Sequence, residues 1–200
     1  GWGDEFPEEA REVLAPEEDE GAGALPSHPV TVKGDVWELV SEGKKLKHRV
    51  MCGDSTDSDA VVKMLNKATP ILMVTDPPYG VDYDPEWRDR AERANGKSIG
   101  ARALGQVQND NNADWTSAYI LSTANVAYVY HADRFSGVVQ KGLEDCGFEV
   151  RNQIIWAKNN FAISRGHYHH KHEPCWYAVK KGATSKWIGD HSQTTVWEIP

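Results

Sequence analysis

The chain has 200 residues, 40% of them hydrophobic, and a formal net charge of −8, which suits a single domain with a sizeable core. It has no apolar run near the roughly 20 residues of a membrane span and no basic, apolar start of a secretory signal. Its three cysteines lack a CxxC pair, which excludes a disulfide framework or a cysteine zinc site.

Residues 1–30 hold nine acids and one base, Arg11, which accounts for the whole net charge. The 21 acids and 21 bases of residues 31–200 balance. A globally acidic chain would argue against a polyanion partner; with the charge confined to one end, that argument fails. The leader, with four prolines and GAGA at Gly21–Ala24, reads as a linker with at most a short helix over Glu8–Leu14. Cys52, Cys146 and Cys175 read as small buried hydrophobes of a reducing cytoplasm.

Order is expected from Thr31. VWELV (Val36–Val40) and HRVMCGD (His48–Asp54) have strand character, with SEGKK turning between them. Thr56 or Asp57 can cap a helix carrying Val61, Val62, Met64 and Leu65. ILMVT (Ile71–Thr75) is a continuous apolar run, the pattern of a fully buried parallel strand. Val81–Ala113 is polar and weakly periodic, a length of loop that is functional or disordered. A helix from Asp114, a strand at Asn125–Ala132 and a helix over Arg134–Cys146 with Gly147 as its cap follow. Phe148–Lys158 and Cys175–Lys181 are two more strands, and Thr194–Ile199 a short one. The alternation predicts an α/β sheet, mostly parallel, with later antiparallel additions.

The sharpest chemical signal is Asp76-Pro77-Pro78-Tyr79, directly after the apolar run. Two prolines lock the backbone and supply no N–H, leaving a rigid turn of carbonyl acceptors. Asp76 adds a carboxylate and Tyr79 an aromatic face. Such a pair of acceptors beside a stacking ring suits an exocyclic amine on a flat heterocycle. The four-residue string alone also fits an ordinary Pro-Pro turn; the apolar strand before it favours the functional reading.

TDPPYGVDY (Thr75–Tyr83) resembles the catalytic motif of DNA amino-methyltransferases, which methylate adenine N6 or cytosine N4. GDVWEL and HRVMCGDSTD resemble the opening of phage and bacterial modification methylases of the β arrangement, where the catalytic motif precedes the cofactor motif. VQNDNNADW, AYVYHADRF, RNQIIWAKNN and HEPCWYAVKKG resemble the segments that follow, so the likeness covers nearly all of residues 31–200. It implies a Rossmann-like S-adenosylmethionine-dependent methyltransferase sheet, incomplete in this chain, with residues 31–200 as the target-base portion. It also implies double-stranded DNA as substrate, a bacterial or phage-infected cytoplasm, and a homodimer.

By that resemblance Asp76 and the Pro77 carbonyl hold the target amine, Pro78 stiffens the turn, and Tyr79 stacks on a flipped base. Transfer from S-adenosylmethionine is direct, so positioning supplies much of the rate. Asp at the first motif position favours adenine N6; Ser would favour cytosine N4. Asp76, and Asp54 after its strand, are the candidate cofactor contacts, with a plain turn or cap residue the other reading of Asp54. The family's aromatic-x-Gly-x-Gly cofactor turn has no counterpart here, since in this arrangement it would lie beyond Pro200. The resemblance therefore implies part of a longer or split methylase, inactive alone, whose remainder is a partner. A non-catalytic DNA-binding or assembly module fits the same absence.

Three features stand outside the motif. His167–Glu173 (HYHHKHE) invites a metal reading, but the resembled family uses no metal and strand alternation would splay these side chains; a polar loop near DNA is preferred. Arg165, His167 and Lys171 would then meet phosphate or bases. Arg88, Arg90, Arg93, Lys97 and Arg102 could close over flipped DNA or form a solvated loop. His131 and Asp133 could line a base pocket or form a turn pair. A metal-dependent nuclease built on Asp54, Asp76 and the histidines is the remaining enzymatic alternative.

Overall fold

In the computed structural model, residues 28–40, 43, 47–84, 107–162 and 167–199 are described. A small antiparallel sheet comes first, β1 (Val36–Val40) against β2 (Lys47–Met51), with Val36 opposite Met51 and Val40 opposite Lys47. Helix α1 (Ser58–Leu65) follows. Its N-cap is Asp57, whose carboxylate accepts from the Asp59 and Ala60 amides at 2.9 and 3.3 Å, as the sequence predicts. Asn66 ends it in the left-handed region at φ 46°. The α1 residue Lys63 donates to the Gly34 carbonyl at 2.5 Å, and Arg49 of β2 donates to the Lys63 carbonyl at 3.1 Å. These polar contacts tie the helix to the small sheet, for no α1 residue is buried.

The main sheet joins β3 (Leu72–Thr75), β4 (Val126–Tyr130), β5 (Phe148–Ala162), β6 (His170–Lys180) and β7 (Val196–Trp197) in the order β3-β4-β6-β5-β7. β3–β4 and β5–β7 are parallel, while β4–β6 and β5–β6 are antiparallel. The class is α/β as expected, yet among the described residues the sheet is evenly mixed rather than mostly parallel. The reason is that β6 runs antiparallel to both of its neighbours, β4 and β5. β5 runs past Lys158 through Asn159 and Asn160, and β6 begins at His170, well before Cys175. A one-residue irregularity at Arg151 shifts the register between Val150 and Asn152.

One face of this sheet is covered by α2 (Thr116–Tyr119) and α3 (Ser136–Asp145), the latter entered through a short 3-10 turn at Asp133–Phe135. The core is Tyr119, Ala127, Val129, Val139, Leu143, Phe148 and Ala178, with Met73, Trp115 and Trp176 packed against it. α3 stops at Cys146, and Gly147 at φ 82° makes the left-handed step into β5. Cys175 is buried and Cys146 half-buried, as a small hydrophobe would be, but Cys52 is exposed.

The apolar run before Asp76 departs from expectation. β3 is an edge strand among the described residues, not a fully buried one. Ile71 and Val74 are 65% and 63% exposed and Leu72 is 45% exposed. Among the described residues β3 has a single hydrogen-bonded neighbour, β4. No helix among the described residues is long and apolar enough to cross a membrane.

Candidate functional site

The segment Asp76–Gly80 leaves the carboxyl end of β3 and is held from several directions. Trp115 donates its indole N–H to the Pro78 carbonyl at 2.8 Å. Gly80 has φ 74°, and a Cβ there would stand 2.7 Å from the Ala113 amide nitrogen, so only glycine fits. Asp110, 7% exposed, accepts from the Tyr83 amide at 2.7 Å and the Val81 amide at 3.4 Å. Its carbonyl accepts from the Asp82 amide at 2.8 Å. A buried carboxylate that gathers backbone N–H groups this way satisfies donors a tight turn would otherwise orphan. The long loop therefore has a structured return at Val107–Trp115 that clamps the motif. Sequence reading missed the clamping roles of Asp110 and Trp115; a lone tryptophan after a polar, Asn-rich run was the available hint.

With Pro78 already paired, the Pro77 carbonyl is the prolyl acceptor to which no donor comes among the described residues. Asp76 is exposed and lies close enough to Tyr79 to act on its hydroxyl. Burial first, and the Asp76 bond and charge next, hold the Tyr79 hydroxyl protonated far above the usual phenol range. Asp76 follows Thr75, which lies opposite Val129, so it stands level with Tyr130 at the end of β4. Tyr130 in turn faces Cys175 across β4–β6. Burial pushes Cys175 up to about 12, leaving a neutral thiol rather than a nucleophilic thiolate. Tyr130 is also shifted up, by burial and then by Cys175, Asp76 and Glu173. Chemically, this edge offers carboxylate and carbonyl acceptors beside aromatic rings, and no activated nucleophile.

The other candidates fall elsewhere. Asp54 lies beyond β2, because that strand ends at Met51 rather than Asp54. Its carboxylate accepts from the Thr56 hydroxyl and amide at 2.7 and 2.8 Å, bonds that hold its pKa down. This is the turn geometry that was the alternative reading. The neighbouring Ser55 nevertheless lines a cavity of about 360 Å³ together with Leu65, Val74, Thr75, Pro77 and Trp115. That cavity brings the Asp54 turn and the motif loop to one hollow.

His131 is 1% exposed and its ring stacks on Trp176 at 5.2 Å. Nδ1 lies 3.0 Å from the Ala132 carbonyl, which can only accept, so Nδ1 carries the proton and Nε2 is bare and without a partner among the described residues. Burial holds this histidine neutral. Asp133 is exposed and 3.9 Å from His170, and its charge also acts on His131. His167 and Lys171 are exposed, Lys171 within β6. Among the described residues no group of three His, Cys, Asp or Glu converges to hold a metal ion. Arg88, Arg90, Arg93, Lys97, Arg102 and Arg165 lie outside the described residues.

No protein-family model matches the chain. No curated protein sequence matches it either. Among solved structures it is similar to M1.HpyAVI, with 23% identity over 69% of this chain and 58% of that one, at a TM-score of 0.41. It is similar also to the M1.HpyAVI–SAM complex, with 22% identity over 64% of this chain and 54% of that one, at a TM-score of 0.39. The chain thus covers little more than half the length of either structure.

Proposed function

We propose that residues 31–200 are the target-base portion of an S-adenosylmethionine-dependent DNA methyltransferase acting on the N6 amine of a flipped adenine. The observation that carries this reading is the clamped motif loop, with the Asp76 carboxylate and the Pro77 carbonyl beside Tyr79. Two acceptors take the two amine hydrogens and aim the nitrogen lone pair, while the Tyr79 ring supports the base outside the stack. The acidic residues 1–30 serve as a linker. Arg88, Arg90, Lys97, Arg165, His167 and Lys171 are the proposed contacts to double-stranded DNA.

S-adenosylmethionine would supply the electrophilic methyl group. The residues present fit it in part. The cavity of about 360 Å³ offers apolar walls and places Ser55, next to Asp54, near Pro77, but no glycine-rich cradle occurs among the described residues. The open side of β3 supports a partner that completes the sheet, the remainder of the methyltransferase domain, supplied by the same or another chain. The same open side favours the second reading, a non-catalytic assembly portion.

The deciding experiment is methyl transfer to DNA by the protein joined with its cofactor-binding remainder, compared with Asp76→Ala. A loss of about 100-fold or more is expected; retained transfer refutes the assignment. Digesting the product to nucleosides identifies N6-methyladenine as expected, or N4-methylcytosine, which would overturn the base assignment.

A further inference from the structure

Tyr130 has no role in the reading above, yet the fold sets it beside the motif loop. Along β4, Ala127 and Val129 enter the core with Val139 and Leu143 of α3. Strand alternation therefore turns Tyr128 and Tyr130 to the opposite face of the sheet. Tyr128 is taken up there by Tyr177, with ring centroids 5.0 Å apart. Tyr130, two residues on, is half-buried and has no stacked ring among the described residues. The β3–β4 register pairs Thr75 with Val129, so Asp76 leaves β3 level with Tyr130. The charge of Asp76 reaches the Tyr130 hydroxyl, as it reaches that of Tyr79. Among the described residues no hydrogen bond engages the Tyr130 hydroxyl, and burial above all keeps its proton on. It is a neutral, uncommitted O–H donor near a carboxylate and a carbonyl that only accept. His131, which the sequence offered as a wall of a base pocket, lies on the other face and stacks on Trp176.

Acceptors beside a donor have a chemical complement, a heterocycle with an amine next to an unprotonated ring nitrogen. The Watson–Crick edges of adenine and cytosine carry that pattern. At the corresponding positions guanine and thymine show a carbonyl next to a ring N–H, the reverse at both. We propose that Tyr130 is a specificity-determining residue whose hydroxyl donates to the ring nitrogen bonded to the amine-bearing carbon of the flipped base, N1 of adenine. Asp76 and the Pro77 carbonyl hold the amine, Tyr79 supports the ring, and Tyr130 fixes how the base is turned in its plane. A wrong base then sets oxygen against oxygen and hydrogen against hydrogen, so it is repelled as well as left unbonded. The inference rests on the methyltransferase reading and deepens it.

The test is nucleoside binding to the full chain, followed by NMR of 13C-labelled tyrosine rings. The probes are 2′-deoxyadenosine and its 1-deaza analogue, in which C–H replaces N1. The wild type is expected to bind deoxyadenosine roughly fivefold or more tighter than the analogue, the worth of one neutral hydrogen bond. The 7-deaza analogue, which keeps N1, is expected to bind like deoxyadenosine. Tyr130→Phe keeps the ring and removes an oxygen that bonds nothing among the described residues. It is expected to bind deoxyadenosine and the 1-deaza analogue alike, at the affinity the wild type has for the analogue. A merely structural tyrosine would lower both affinities and leave their ratio intact. Equal wild-type affinity for the two probes, or a preference that survives Tyr130→Phe, overturns the proposal. Asp76→Ala separates this outcome from failure of the underlying reading. Deoxyadenosine binding that needs Asp76 but ignores N1 keeps the target-base reading and removes the role of Tyr130. Deoxyadenosine that does not bind the wild type, or that binds Asp76→Ala equally well, removes both.

Discussion

The short strand β3 and the loop at its carboxyl end are built by opposite means. At its carboxyl end the motif loop is tied by an indole, a buried carboxylate and a glycine that nothing else can replace. In the strand itself Leu72 and Val74 are exposed, as is Ile71 just before it, and no second strand pairs with β3 among the described residues. One region is over-determined by polar and steric contacts with little apolar burial; the other has apolar side chains and nothing to bury them. The lesson is that rigidity where chemistry is read need not come from the hydrophobic core. Conversely, the most hydrophobic run before the motif is not where the chain is best packed.

The contrast breaks most visibly at Gly80. Gly80→Ala forces a non-glycine residue to φ 74°, at about 1–2 kcal/mol. Its Cβ also meets the backbone of Ala113 and Asn112 at 2.7 and 2.9 Å, and such overpacking costs about 1–3 kcal/mol more. Chemical denaturation should show both losses together. A change below about 0.5 kcal/mol would mean that the loop slides freely and is not clamped.

Asp110→Ala comes next. It leaves the Val81 and Tyr83 amides without their acceptor in a half-buried place, a loss of about 1–3 kcal/mol. Hydrogen exchange reports it locally: the Tyr83 amide should lose protection, while amides of β4 and β6 keep theirs. Equal loosening of both would show that Asp110 supports the whole fold and not the loop.

This clamp also marks what the sequence could and could not tell. Local rules sufficed for the Asp57 cap, for the end of α3 at Gly147, and for β1 and β4, since each depends on residues within a turn or an alternating run. Of the motif, the sequence could tell that a rigid turn follows the strand, because two prolines dictate that locally. Asp110 was not, because its partners lie 27 and 29 residues back along the chain. The ion pair of Lys158 on β5 with Glu173 on β6 was hidden for the same reason, its members being 15 residues apart in the chain. The far ends of β5 and β6 were missed because Asn159, Asn160 and His170–His172 lack an apolar face to betray a strand. β3 shows the converse error, since an apolar run records that burial is wanted and not which neighbour provides it.

Trp115→Phe is the smaller test on the clamped side. It keeps the ring against the core and removes only the indole donor to the Pro78 carbonyl. The expected stability loss is about 1 kcal/mol, read from a lowered unfolding midpoint in denaturant. In the completed protein, methyl transfer should fall more than stability does, because the freed carbonyl lets the acceptors drift. Proportionate losses would show that the indole contributes packing and not aim.

The smallest effect is expected on the bare side. Val74 is 63% exposed on a strand with one neighbour. Val74→Lys therefore removes almost no buried surface from this chain, and its unfolding free energy should change by no more than about 0.5 kcal/mol. The same substitution places a charge where a completing strand and its cover would pack, so association with the cofactor-binding remainder should weaken about tenfold or more, the cost of desolvating an unpaired ammonium. Sedimentation of the mixed components measures that loss. If instead Val74→Lys destabilises the isolated chain by about 2 kcal/mol or more, on the scale of a buried substitution, Val74 is already covered and the contrast between the strand and its loop disappears.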